Sequence, residues 1–183
     1  LYLRALDCRN AAEVEALVGT FDSGSRSTGL LDPELITIGS DSETKEEAIK
    51  EIIDAFHVVG RTEQPEIVED AVWAREAVYS TGLGHGFAIP HCKTDAVVAN
   101  SIGVLRLKQP VAWESVDDQP VQCVILLAMR ESDRDGAHMK VFSKLARRLM
   151  HEEFRQRLLN AADAPAVLQC LTEELDIAAE GAS

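Results

Sequence analysis

Val121-Gln122-Cys123-Val124-Ile125-Leu126-Leu127-Ala128-Met129 is the longest apolar run of this 183-residue chain, interrupted only by Gln122. It is strand-sized and well short of the ~18 apolar residues that a membrane-crossing helix needs. Residues 122–129 are nearly all apolar, as a central strand covered on both faces requires. Upstream lie two further strand-like runs, at residues 86–89 and 101–107, and Leu35, Ile36 and Ile38 suggest a short strand near the start.

Helical patterns alternate with these strands. Thr44-Lys45-Glu46-Glu47 fits a capping box, an N-cap hydroxyl with a glutamate three residues on. Ala48, Ile49, Ile52, Ile53 and Phe56 follow at helical spacing, and Gly60 supplies a stop. Pro65 suits the first turn of a second helix, whose apolar face runs through Ile67 or Val68, Ala71, Val72 and Val78. After the central strand, residues 137–149 place Met139, Phe142, Leu145, Ala146 and Leu149 inward. A short helix near 152–159 comes next, then a last one over 164–175 behind Asp163 as N-cap. Strands alternating with helices predict an α/β domain.

Composition narrows the function. The formal net charge is −13 and the pI about 4.7. A chain this acidic repels nucleic-acid backbones and anionic membranes, although a local basic pocket for a phosphorylated partner remains compatible with it. Cys8, Cys92, Cys123 and Cys170 form no C-x-x-C pair, and their long spacing reads as reduced cytosolic thiols. No signal-peptide pattern opens the sequence. It does not begin with Met, which suggests a processed chain or a piece of a longer one. Residues 1 to about 20 read as a short helix, followed by the small-polar stretch Asp22-Ser23-Gly24-Ser25-Arg26-Ser27-Thr28-Gly29. The expected organisation is therefore an N-terminal helix and linker over 1–29, either the end of an upstream domain or a docking helix. One domain over 30–177 and a tail over 178–183 follow.

The chemistry concentrates in Ser80-Thr81-Gly82-Leu83-Gly84-His85-Gly86-Phe87-Ala88-Ile89-Pro90-His91. Alternating glycines allow a tight turn whose backbone N–H groups can cradle an anion. The spacing is not G-x-G-x-x-G at a helix start, which excludes a dinucleotide fingerprint. Pro90 removes a ladder N–H and should end a strand, leaving His91 at its carboxyl end, where open α/β sheets place ligands. Arg75 falls on the apolar face of the second helix. A guanidinium there needs either a core-edge carboxylate or an anion in a site. His138, opening the helix after the central strand, either flanks a helix end or faces an anion there. His85, His91, Cys92 and Asp95 have spacings that invite a zinc reading, but no second clear ligand pair accompanies them. The basic residues Lys140, Lys144, Arg147 and Arg148 read as a solvated helix face.

These residues resemble the active-site signature of the fructose/mannitol-type IIA domain (EIIA type 2) of the bacterial phosphoenolpyruvate-dependent sugar phosphotransferase system. That family includes the nitrogen-regulatory IIA proteins. Arg75-Glu76, Pro110-Val111-x-Trp113, Val124-Ile125-Leu126-Leu127-Ala128, His138-Met139-Lys140 and Leu145-Ala146-Arg147 follow in family order over about residues 30–177. Two departures stand out: Cys92 where the family commonly has Gly after the active histidine, and His138-Met139 for the usual His-Leu. Residues 1–29 show no counterpart in it. The resemblance implies a single α/β domain with a mixed, mostly parallel sheet flanked by helices on both faces. It implies that His91 accepts a phosphoryl group, through Nε2, from the phosphohistidine of the carrier protein HPr. Arg75 and His138 would be the assisting residues, and Thr81, Gly82, Gly84 and Gly86 would line the phosphate. The acceptor would be a IIB domain or, in a regulatory member, a target that senses phosphorylation state. The resemblance implies no metal and no organic cofactor, a cytoplasmic location and no membrane insertion.

Overall fold

The computed structural model describes residues 29–133 and 136–175, with the side chains of Ala137 and His138 outside that description. The expected N-terminal helix and most of the linker, the tail over 178–183 and the His138 side chain therefore lie outside the described residues.

The elements run in the expected alternation. A 3-10 turn at Pro33–Leu35 leads into β1 (Ile36–Ser40), followed by α1 (Lys45–Val59) and α2 (Pro65–Val78). Three short strands come next: β2 (Gly82–Gly84), β3 (Phe87–Ala88) and β4 (His91–Lys93). The long strands β5 (Ser101–Val111) and β6 (Val121–Met129) precede α3 (Ala137–Arg148), α4 (Glu152–Asn160) and α5 (Ala164–Leu175). The sheet order is β1-β5-β6-β3-β2, and β4 also pairs with β6. The β1–β5, β3–β6 and β4–β6 pairs are parallel, whereas β2–β3 and β5–β6 are antiparallel. The sheet is thus mixed and mostly parallel.

The apolar run of β6 is the spine of both cores. Side chains alternate across a strand. Val124, Leu126 and Ala128 face the cluster containing Ile49, Ile53, Phe56 and Val72 of α1 and α2. Cys123, Ile125, Leu127 and Met129 face Leu145, Phe154 and Leu171 of α3, α4 and α5. Every residue of β6 except Gln122 is buried, so both alternating sets count as core. Gly103 of β5 lets α1 approach, because a Cβ there would stand 2.4 Å from Ile52 Cγ2.

The helix signals are expressed with small shifts. Thr44 Oγ1 accepts from the Glu47 N–H at 3.1 Å, but the Glu47 carboxylate reaches back to Glu43 N rather than to Thr44. Gly60 closes α1 at φ 85°, and Asp163 caps α5 through Ala166 N–H. The apolar face of α2 differs from expectation. Val68 and Val72 are buried, whereas Ile67 and Val78 are exposed. At about 100° per residue, Val78 lies some 120° off the Val72 direction, while Glu76 lies within about 40° of it. Met139, expected inward on α3, is likewise exposed. Pro110 lies inside β5, in a stretch where the ladder to β6 is interrupted between Arg106 and Val111. That is the setting in which a strand tolerates proline.

Candidate active site

Pro90 breaks the sheet edge as expected, but the chain resumes pairing at once. β3 and β4 both run parallel to β6, with Phe87 opposite Cys123 and His91 opposite Leu127. Ile89 and Pro90 form the gap between them. His91 therefore opens a strand instead of standing past the end of one, and the ladder on both sides of the break holds its backbone.

The His91 ring is tied at both nitrogens. Nδ1 lies 2.9 Å from the Ile89 carbonyl oxygen, and Arg75 Nε donates to Nε2 at 3.0 Å. A carbonyl only accepts and a guanidinium only donates. The neutral ring is thereby held as the Nδ1–H tautomer, with the Nε2 lone pair pointing at Arg75. Burial, the largest influence, pushes the His91 pKa below the ordinary histidine value; the Ile89 hydrogen bond opposes this and the Arg75 charge adds to it. At neutral pH the ring is uncharged, with its lone pair on Nε2.

Arg75 makes no ion pair among the described residues. Its Nη1 donates to Tyr79 O at the end of α2, which braces the guanidinium beside the imidazole. The core-edge carboxylate, one of the two partners left open by the sequence, is not found for Arg75 among the described residues. Arg75 and His91 line a cavity of about 570 Å³ together with Cys92, Lys93, Met139 and Phe142. The Phe142 ring sits 4.6 Å from the His91 ring, tilted by 54°. One wall is thus cationic and the other apolar. Cys92 is buried, and burial pushes its thiol up to about 12, so it stays protonated and unreactive.

The glycine turn is placed differently. None of Thr81, Gly82, Gly84 and Gly86 lines the His91 cavity. Gly82 packs against the chain at Glu114, whose carbonyl oxygen would lie 2.3 Å from an added Cβ. Gly84 at φ 92° sits against the Asp117 carboxylate, which also accepts from His85 N. Thr81 gives its N–H and hydroxyl to Glu76. The structure thus brings Arg75 and His91 together and engages the turn with the protein itself. His138 enters at the first turn of α3, one residue before the cavity-lining Met139. Of the possible metal ligands, the Asp95 carboxylate accepts from Ser132 N, and no cluster of three or more such residues occurs among the described residues.

Sequence reasoning left one residue of the site region out. Glu76 is buried and accepts from Lys45 Nζ at 2.6 Å, from Trp113 Nε1 at 3.1 Å and twice from Thr81. Lys45 in turn lies over the Trp113 ring, 4.9 Å from its centroid. The available signal was the spacing Val68, Val72, Glu76, which puts a carboxylate in line with the buried face.

The chain is similar in sequence and in fold to known proteins. Over 174 residues it is 42% identical to Multiphosphoryl transfer protein 2 of Escherichia coli K12, a match covering 95% of this chain and 20% of that protein. The match leaves about nine residues of the chain outside it, and so reaches into the stretch before residue 29 for which the family resemblance has no counterpart. The chain thus spans about a fifth of the multiphosphoryl transfer proteins it matches. It is 32% identical over 143 residues to the PTS system fructose-specific EIIA component of Haloferax volcanii, covering 78% of this chain and 92% of that one. Its fold is similar to nitrogen regulatory protein IIA-Ntr of Neisseria meningitidis, with a TM-score of 0.73 and 27% identity over 78% of this chain and 97% of that one. It is also similar to a chain of the complex of enzyme IIAMTL and phosphorylated enzyme IIBMTL from Escherichia coli, with a TM-score of 0.65 and 27% identity over 78% and 97% of the two chains. Residues 29–174 match the model of the phosphoenolpyruvate-dependent sugar phosphotransferase system, EIIA 2, and the chain belongs to that family.

Proposed function

We propose that this chain is a phosphoryl carrier in which His91 Nε2 takes a phosphoryl group from phospho-HPr and passes it to a IIB domain. One observation carries this reading: Nδ1–H is held by the Ile89 carbonyl while Nε2 faces the Arg75 guanidinium in an open cavity. In the transfer, the phosphorus–nitrogen bond of the donor histidine breaks as the bond to His91 Nε2 forms. The ring becomes more positive as it is phosphorylated, and the Ile89 carbonyl accepting from Nδ1–H stabilises that change. Arg75 leaves the lone pair and donates instead to the phosphoryl oxygens, a positioning and charge-stabilising role of the kind that phosphoryl transfer needs most. His138, at the start of α3, is the second assisting residue of this proposal. The site works in the cytoplasm, where the donor system resides.

The names of the relatives favour sugar transport, since one of them is a fructose-specific EIIA component. A regulatory role that reports phosphorylation state is the second reading, favoured by the fold similarity to IIA-Ntr. Incubation with phosphoenolpyruvate, enzyme I and HPr, followed by intact mass, tests both. The expected result is one acid-labile phosphoryl group. No gain in mass from a donor that charges a known IIA protein would end the proposal. Onward transfer to a IIB domain separates the carrier from the regulator.

Arg75→Ala is expected to slow uptake by about 100-fold or more, the usual loss for one donor aimed at developing charge. The same variant removes a cation that lowers the His91 pKa, so the ring should titrate at higher pH. Uptake by wild type should then persist to lower pH than uptake by the variant. Histidine ring NMR and the pH–rate profile check the two effects, and an unchanged titration would remove Arg75 from the site.

A further inference from the structure

We propose that Glu76 is the positioning residue for His91, acting through Thr81 and the Ile89 carbonyl to hold the imidazole in its Nδ1–H tautomer. The inference rests on the reading of His91 as phosphoacceptor and adds a residue that touches neither the phosphoryl group nor the ring.

A continuous line of hydrogen bonds joins the two residues. The Glu76 carboxylate accepts the Thr81 N–H at 3.2 Å and the Thr81 hydroxyl. The Thr81 carbonyl accepts the Ile89 N–H at 3.0 Å. The Ile89 carbonyl accepts His91 Nδ1–H at 2.9 Å. Ile89 lies between β3 and β4, where the Thr81 cross-connection holds its N–H side and the Leu127 N–H bond to Pro90 O, at 3.0 Å, holds the next peptide. Glu76 is also the chain neighbour of Arg75, which holds the other ring nitrogen. One buried carboxylate therefore fixes the end of α2, which carries Arg75, and the strand that aims the Nδ1 acceptor.

The surroundings of Glu76 fit a positioning role better than a purely stabilising one. Its side chain is 4% exposed and its ion partner Lys45 is 18% exposed. A buried ion pair is a weak source of net stability, because desolvation offsets much of the attraction. What it supplies here is geometry. Four donors, Lys45 Nζ, Trp113 Nε1 and the Thr81 N–H and hydroxyl, converge on two oxygens, which leaves the carboxylate one orientation. A glutamine in its place has one acceptor oxygen and turns an NH₂ group toward groups that donate.

The test reads the ring directly. Long-range ¹H–¹⁵N spectra of the full chain, unphosphorylated, separate a protonated ring nitrogen from one bearing a lone pair. Wild type is expected to show His91 with Nδ1 protonated and Nε2 free. Glu76→Gln is expected to give a mixture of tautomers, and phosphoryl uptake slowed by about 10- to 100-fold, as expected of a misaimed reacting group. Lys45→Met/Glu76→Gln removes both charges together, stays neutral in the core, and is expected to show the same mixture if the single variant does not fold. A folded variant of either kind with the wild-type tautomer and wild-type uptake would overturn the proposal. A purely structural role would lower the unfolding midpoint and leave the tautomer in place, which counts against it equally. Because the tautomer is read without any donor protein, it holds or fails independently of whether His91 is phosphorylated.

Discussion

His91→Ala is expected to take up no acid-labile phosphoryl group under conditions in which the wild-type chain is fully charged. The loss should be complete rather than partial, because no other described side chain in the cavity offers a neutral nitrogen lone pair at neutral pH. Lys93 and Arg75 are cations there, and the buried Cys92 thiol is pushed up to about 12. The fold should survive. His91 is half-buried at one wall of an open cavity, and its ring contact with Phe142 is worth about 1 kcal/mol. Intact mass and a denaturation curve on the same sample separate lost chemistry from lost structure. Phosphoryl uptake by the folded variant would move the acceptor role to another histidine.

Lys45→Met should destabilise the domain by about 3 kcal/mol at neutral pH, a larger loss than His91→Ala or Arg75→Ala should cause. Methionine fills much of the space between the Trp73 and Trp113 rings that the lysine stem now occupies. What disappears is the ammonium 2.6 Å from a carboxylate that is almost wholly buried. Burial alone would push the Glu76 carboxyl up, but the Lys45 ammonium together with the Thr81 hydroxyl and N–H outweighs it, and the group stays below the usual carboxylate range. A depressed carboxylate contributes stability that is present above its unfolded-state pKa and lost as pH falls through the folded-state value. Without Lys45 the burial cost dominates and the carboxyl protonates at higher pH. The stability gap between wild type and Lys45→Met should therefore narrow as pH falls through the carboxylate range. Urea unfolding at several pH values measures it, and a gap independent of pH would show that the charge on Glu76 plays no part.

The two changes probe different levels of the same design, and they differ in how far sequence reading anticipates them. The apolar run ending at Met129 and the flanking helical patterns were sufficient for the two-sided α/β core, since strand alternation and helical spacing are local properties. The Thr44 cap, the Gly60 stop and the Asp163 cap are equally local, and each appears where expected. Misplaced residues sit where a helix runs out or turns to solvent. Val78 lies at the last position of α2, and Met139 lies in the first turn of α3 on the cavity side. The apolar pattern records that these residues are hydrophobic but not which side of the final turn meets a neighbour.

His91 and Arg75 were legible because their residue types are unusual in their settings, a histidine after a strand-breaking proline and a cation on an apolar face. The glycine turn was legible as a turn, but its N–H groups were expected to face a ligand. In the fold, Thr81 faces Glu76, and Gly82 and Gly84 pack against residues 114–117. That distinction depends on which segment covers the turn, and the covering segment lies more than 30 residues away in the chain.

By itself, the sequence determined the layered fold and the family, because both are written in periodicities and residue types within short windows. Only the tertiary structure decided what holds each nitrogen of His91. Those facts arise from Glu76, Thr81 and Ile89 meeting across three separate segments. In one dimension Glu76 is an ordinary carboxylate on an acidic chain; it becomes the anchor of the site only when folding removes it from water and leaves Lys45, Trp113 and Thr81 as its available partners.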